Sequence, residues 1–514
     1  MRTERAAALE RRPSQEALLN ESPTRASYRD SIEMGDTASA KTPVETREDV
    51  GTSISNIDGS SARSGAALAG AREDAVQPRV EPLRLYKRRF FGLFQLVLLN
   101  IVVSWDWLTF SASSTTCAQY FGVSETAING LSTAFLFAFA AVSPLTLKML
   151  HWGPRPAILT AGGLIFIGNW IRYGGARSNT FGVVMFGQIL IGLAQPFVLA
   201  APTRYSDLWF TDRGRISATA VASLANPLGG ALGQLIGPLW ATKPSEVPRM
   251  VLYTALISSL ASIPSLFVPA KPPTPPTASS SQQKPTLRTS LTTLSSNPTF
   301  WLLFATFSVY VGFFNALSSL INQILAPYGF TEDQAGIAGA VLILVGLLSS
   351  AIVSPIIDRN HAYLTTIKLL VPVIGLSYLA FIFAPPTAQL LAPYIILAIL
   401  GAASFSLVPV ALEYLVEVTW PASPEVSSVL NWTGGQILGA VFIIVMGAMK
   451  DKEGKHGPKD NMQHALIFEA VLALAVVPLP LIIGVKKFGL GGVENRRFMV
   501  DEGEDRPTEE GNAA

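Results

Sequence analysis

Apolar residues along this chain gather into runs of about twenty, separated by short polar or basic stretches, from Phe90 onward. The runs fall at about 90–113, 128–148, 157–174, 181–201, 216–240 and 250–269, then at about 300–326, 334–357, 364–384, 391–415, 427–449 and 463–485. Each is long enough to cross the hydrocarbon layer as a helix. The fold predicted is an all-α polytopic membrane protein of twelve transmembrane helices in two pseudo-symmetric six-helix bundles. The bundles take residues 84–269 and 300–487, and a linker over 270–299, rich in Pro, Ser, Thr and Gln, joins them. Residues 1–83 read as a disordered cytosolic tail and 488–514 as a charged cytosolic tail.

Composition agrees with the pattern. Of 514 residues, 49% are hydrophobic and only 14% charged, where soluble domains carry about a quarter charged. Mean hydropathy is +0.38. The start is charged and lacks a hydrophobic core segment, so no signal peptide is expected and the first run must serve as the membrane signal. One cysteine, Cys117, excludes an intrachain disulfide and a thiolate zinc cluster, and the four histidines have no metal-ligand spacing. No phosphate-binding loop, H-E-x-x-H or G-x-S-x-G is present. Those absences argue against an enzyme, an ATP-driven pump and a metal or organic cofactor.

Basic residues orient the spans. Arg84, Lys87, Arg88 and Arg89 precede the first run, Lys148 and Arg155 flank the loop after the second, and Arg204, Arg213 and Arg215 follow the fourth. Lys271, Lys284 and Arg288 lie in the linker, and Arg359 and Lys368 follow the eighth run. With alternating spans these share one face, which the positive-inside rule makes cytosolic, with both termini. The loop Lys450–Lys459 departs from the rule, its lysines partly offset by Asp451, Glu453 and Asp460.

The two sets share a trace of duplication. Ser223, Asn226, Gly229 and Gly230 in the fifth run match Ser428, Asn431, Gly434 and Gly435 in the eleventh, a common S-x-x-N-x-x-G-G. Chance among small, packing-favoured residues is the plainer account, but equivalent placement favours duplication, a common way to build transporters. Polar residues at membrane depth are costly and therefore functional candidates. They are Asn100, Trp105, Asp106 and Trp107 in the first run; Gln188 and Gln195 in the fourth; Asn315, Asn322 and Gln323 in the seventh; Glu413 in the tenth; and Asn431, Trp432 and Gln436 in the eleventh. In a two-bundle transporter these spans line a central cavity. The plainer alternatives are interfacial placement for the tryptophans and helix-to-helix bonding for Gln188 and Gln195, which share a face. Asp106 and Glu413 suit salt-bridged, protonated or gating roles better than direct ligation, with Arg172 one candidate partner for Asp106.

Several segments resemble the major facilitator superfamily and, within it, the feline leukaemia virus subgroup C receptor-related transporters. They include Ser104-Trp-Asp-Trp-Leu-Thr-Phe110, Leu193-Ala-Gln-Pro-Phe197, Ala225-Asn-Pro-Leu-Gly229, Gly312-Phe-Phe-Asn315 through Asn322, Leu412-Glu-Tyr-Leu-Val-Glu-Val-Thr-Trp-Pro421 and Gly435-Gln-Ile-Leu-Gly439. The resemblance runs from about Leu85 to Lys487. It implies carriage of small amine solutes such as choline and ethanolamine, with haem also claimed for the family. It also implies that Trp107, Gln195 and Gln436 line the site. An indole face attracts a quaternary ammonium by about 2 kcal/mol when desolvated. The sequence departs from the family at Asn315, where a tyrosine is usual, and at Asp106, usually uncharged. The superfamily's loop is degenerate at His151-Trp-Gly-Pro-Arg155, whereas its counterpart keeps Asp358-Arg359, counted with Asp106 and Glu413 as coupling or gating candidates.

Three functions follow as expectations. The first is a carrier of a small cationic or polar solute, monomeric and in the plasma membrane. The second is a proton-coupled exporter, suggested by Gly233-Gln-Leu-Ile-Gly237-Pro238. The third is a membrane receptor with a transporter fold.

Overall fold

The computed structural model describes residues 86–485, except 211, 275–284, 361, 420–421 and 456. The two tails and the middle of the linker therefore lie outside the described residues.

The first half of the chain gives α1 (Arg88–Leu108), α2 (Ser114–Phe121), α3 (Glu125–Trp152), α4 (Pro154–Arg177), α5 (Phe181–Leu199), α6 (Ala201–Trp209), α7 (Asp212–Trp240) and α8 (Val247–Ser262). After α9 (Leu287–Ser295) come α10 (Pro298–Leu325), α11 (Glu332–Asn360), α12 (Tyr363–Phe381), α13 (Leu391–Thr419), α14 (Pro424–Ala448), α15 (Gln463–Ala475) and α16 (Pro478–Leu481). Local chemistry sets several starts. Ser124 caps α3 by accepting from the Ala127 amide, with Glu125 in its first turn. Asn297 caps α10 through the amides of Thr299 and Phe300, and Pro298 fills the first helical position. Between α3 and α4 the chain turns at Gly153, whose φ of 143° suits only glycine, and Pro154 starts the next helix.

Among the described residues, ten helices are long and apolar enough to cross a membrane. They include α1, α3, α5, α8 and every helix from α10 to α15. Two others, α4 with 24 residues and α7 with 29, have the length but carry more polar side chains, among them Asn169, Arg172, Asn226 and Gln234. In the first half α4 packs on α5 and α8, α1 on α7, and α3 on α5. In the second, α11 packs on α13, α10 on α14, and α12 on α13 and α15. The halves meet through α3 with α14 and α7 with α11.

Polarity is distributed opposite to that of a soluble protein. Leu260, Leu266, Leu348, Leu369 and Val471 are each at least 63% exposed, whereas Gln95, Asn100, Asp106, Asn169, Arg172, Gln188 and Asn431 are fully buried. A continuous apolar exterior of this kind needs lipid to cover it. With no hydrophobic drive between helices in lipid, close backbone approach does much of the packing. At Gly229 a Cβ would overlap the Ile101 carbonyl of α1, and at Gly401 the Leu342 carbonyl of α11.

Candidate functional site

In the first half, Trp107 lies one residue before the end of α1, almost fully buried, with its ring stacked on Phe135 of α3 at 6.3 Å between centroids. Its indole Nε1 is buried without a hydrogen-bond partner. Helix α5 lies against the same residue: a Cβ on Gly192 would stand 2.6 Å from the Phe135 carbonyl. Gln195, one turn further along α5, is buried and its Oε1 is likewise unpartnered. Buried polar atoms almost always find partners, so a donor and an acceptor left open on two neighbouring helices need a reason. Trp105 is buried and stacks on Trp240 at 5.7 Å.

In the second half, Asn315 and Gln436 meet. The Asn315 Nδ2 donates to Gln436 Oε1 at 3.0 Å and to the Gly435 carbonyl at 3.4 Å, joining α10 to α14. Further unpartnered buried hydroxyls or carbonyls on these helices belong to Ser308, Ser318, Ser319, Asn322 and Asn431, with the Tyr414 hydroxyl on α13.

Asp106, Asn169, Arg172, Gln188 and Ser258 form one network in the first half. Asp106 accepts from Asn169 Nδ2 at 2.6 Å and from the Ser258 hydroxyl at 3.2 Å. Arg172 Nη1 stands 3.8 Å from Asp106 Oδ1 and donates to Gln188 Oε1 at 3.0 Å. Gln188 therefore bonds between helices, and Arg172 is the partner of Asp106. The other coupling candidates lie apart from this network. Glu413 is exposed near the C-terminal end of α13, and Arg359 is exposed at the end of α11. Asp358 belongs to α11, but its side chain lies outside the described residues.

Sequence reasoning missed two features. Glu469 of α15 is 1% exposed, with Oε1 unpartnered; a single carboxylate inside an apolar run was its only mark. Glu332, the first residue of α11, accepts from the amides of Thr115 and Thr116 at 2.9 and 3.2 Å and from Asn322 Nδ2 at 3.1 Å. It sits on the N-terminal turn of α2, where a helix dipole favours an anion. Beside it Lys450 pairs with Glu125 at 2.7 Å, and Asn129 and Gln323 exchange hydrogen bonds at 2.7 and 3.2 Å. All but the Glu332–Asn322 bond cross between the two halves of the chain, and Lys450 is one of the lysines that depart from the positive-inside rule.

The sequence pattern of the Major Facilitator Superfamily matches residues 96–449. The chain is 31% identical over 395 residues to "Solute carrier family 49 member A3" of Danio rerio, covering 75% of this chain and 83% of that protein. It is 27% identical over 463 residues to "Choline/ethanolamine transporter FLVCR1" of Mus terricolor, covering 84% and 83%. Among solved structures it is similar to a bacterial homolog of the human lysosomal transporter Spinster, inward-facing and occupied. That likeness has a TM-score of 0.60 at 15% identity, over 78% of this chain and 97% of the other.

Proposed function

Because the chain belongs to the Major Facilitator Superfamily, and is thus a multi-pass membrane transporter rather than an enzyme, we propose that it carries a small cationic or polar solute of the choline or ethanolamine type. The observation that carries this reading is the pair of open polar atoms beside an aromatic wall. Trp107 offers an indole and an unpartnered Nε1, and Gln195 an unpartnered Oε1 one helix away. The indole takes the cationic end by cation–π attraction, and the glutamine oxygen accepts from the solute's hydroxyl or amine. Gln436, oriented by Asn315, completes the set from the second half. The substrate class also draws on the relative named a choline/ethanolamine transporter, at 27% identity.

In this reading α4 and α7 join the ten apolar helices to make twelve spans. They form two bundles over 84–269 and 300–487 joined by the linker at 270–299. Alternating access rocks one bundle against the other around the site. The cross-half contacts of Glu332, Lys450 and Gln323 close the external side, both termini are cytosolic, and the protein acts as a monomer in the plasma membrane. Asp358, Arg359 and Glu413 have gating roles near the cytosolic ends of their helices.

The test is uptake of labelled choline and ethanolamine into vesicles holding the purified protein. Trp107→Ala is expected to weaken apparent affinity about thirtyfold, the equivalent of about 2 kcal/mol of cation–π attraction. Uptake indifferent to Trp107→Ala removes the residue from the site. A second reading, proton-coupled export, is favoured by the buried Glu469 carboxyl, whose Oε1 is unpartnered. It requires flux that follows an imposed pH gradient and is lost in Glu469→Gln.

A further inference from the structure

We propose that Arg172 and Gln188 are positioning residues, which hold a break in α1 and thereby aim Trp107, with Asp106 as the counter-ion that keeps Arg172 in place. The inference rests on the reading of Trp107 as a solute-facing residue. Helical hydrogen bonding in α1 stops at Leu108, the chain turns through residues 109–113, and α2 starts at Ser114. A helix end leaves its last four carbonyls without intrahelical partners. At membrane depth no bulk water meets them, so the protein must.

Here all four are met, and two of them by side chains from other helices. The Trp105 carbonyl accepts from the Thr109 hydroxyl at 2.9 Å, and the Leu108 carbonyl from the Ala112 amide at 3.1 Å. The Asp106 carbonyl accepts from Arg172 Nη1 at 3.0 Å and from Gln188 Nε2 at 3.4 Å. The Trp107 carbonyl accepts from Gln188 Nε2, also at 3.4 Å. A guanidinium at a helix C-terminus additionally complements the negative end of the helix dipole.

The arginine is itself fixed on three sides. Its Nη1 reaches Gln188 Oε1 at 3.0 Å and lies 3.8 Å from the Asp106 carboxylate. Its guanidinium carbon is 4.9 Å from the ring centroid of Phe110, within the break. Its Nε and Nη2 have no partner, so one nitrogen does the holding and Gln188 supplies the second grip. Asp106 is held in turn by Asn169 and Ser258. Trp107 is thus pinned at its backbone by Gln188 and at its ring by Phe135. Losing Gln188 frees the residue that meets the solute while leaving the solute's own contacts chemically intact.

The decisive variant is Gln188→Leu, close in volume but without donor or acceptor, in vesicles containing equal amounts of monodisperse protein. The expected result is a KM for choline raised about tenfold with Vmax within about twofold. Arg172→Lys, which keeps the charge and a donor, is expected to retain more uptake than Arg172→Met. KM unchanged in Gln188→Leu, or Arg172→Lys no better than Arg172→Met, overturns the proposal. If Gln188→Leu does not accumulate as folded protein, Gln188→Met is measured against the same outcomes. If the wild-type protein moves neither choline nor ethanolamine, the solute reading fails while the positioning claim is still read from labelling. In Cys117→Ala/Trp107→Cys protein, a small thiol reagent is expected to label at a rate changed about fivefold by Gln188→Leu. An unchanged rate overturns positioning independently of transport.

Discussion

Helices α7 and α14 carry the same S-x-x-N-x-x-G-G pattern and sit at equivalent crossings, α7 on α1 and α14 on α10. What opposes the glycines differs. In the first half, Gly229 faces the Ile101 backbone carbonyl, Gly230 faces the side chains of Ser104, Ile343 and Leu108, and Gly233 follows one turn later, 3.1 Å from the Trp105 carbonyl to an added Cβ. In the second, Gly434 faces the Ser308 hydroxyl and the Phe304 ring, Gly435 faces Val311, and Gly439 faces Asn315, all through side chains. The asparagines have diverged as well: Asn226 reaches across to the Asn100 carbonyl at 3.4 Å, whereas Asn431 bonds back to Ser427 of its own helix at 2.8 Å. One crossing is limited by backbone and fixes α1 beside the network that holds Trp107. The other is limited by side chains, which can shift, and one of those is the candidate site residue Asn315. A motif read from sequence as a trace of duplication packs against a neighbouring helix in both halves, but only in the second does it touch the candidate site directly.

The contrast extends to buried carboxyls, where the largest effect is expected. Asp106 has a counter-ion and two polar neighbours, so Arg172→Leu strands a buried charge and should cost about 3–5 kcal/mol of stability. Glu469 has an oxygen without a partner, and Glu469→Gln should change stability by less than about 1 kcal/mol. Thermal unfolding of the two variants in one detergent measures the difference. Equal losses would erase the distinction between the halves. The glycines come next. Gly229→Ala forces a Cβ into a carbonyl that cannot move without displacing α1, and should cost about 3 kcal/mol, the upper part of the overpacking range. Gly434→Ala meets a hydroxyl and a ring edge and should cost about 1 kcal/mol. If Gly434→Ala is the more damaging, the second crossing is as rigid as the first.

Apolar periodicity made the helices legible because lipid demands both length and hydrophobicity from each span. It served least well at α4 and α7, where Arg172, Asn169 and Gln234 lower the hydropathy for the sake of contacts inside the protein. Candidate residues were legible where polarity stood out at depth: Trp107, Gln195, Asn315 and Gln436 all lie buried. Which of them bond to each other was not, because hydrogen-bond partners come from helices distant in sequence. Asn169 and Ser258 reach Asp106 from 63 and 152 residues away. Glu332 was hidden for another reason. It reads as an ordinary acidic helix start, and only the fold brings α2 to it, 216 residues earlier in the chain.

The smallest effect tests how the halves hold each other rather than how each is built. Lys450 and Glu125 pair at 2.7 Å across the halves, but their side chains are 16% and 25% exposed. A pair so open to solvent is screened and loses side-chain entropy on forming, so it contributes about 1 kcal/mol or less. Lys450→Ala is therefore expected to lower the unfolding temperature slightly at low ionic strength, and the difference should vanish near 1 M salt, where the Debye length is about 3 Å. The Glu332 contacts to the α2 amides are hydrogen bonds at a helix N-terminus, so they should persist under the same salt. A Lys450→Ala effect that survives high salt would mean the lysine acts through packing. Charge would then not distinguish this inter-half contact from the apolar ones around it.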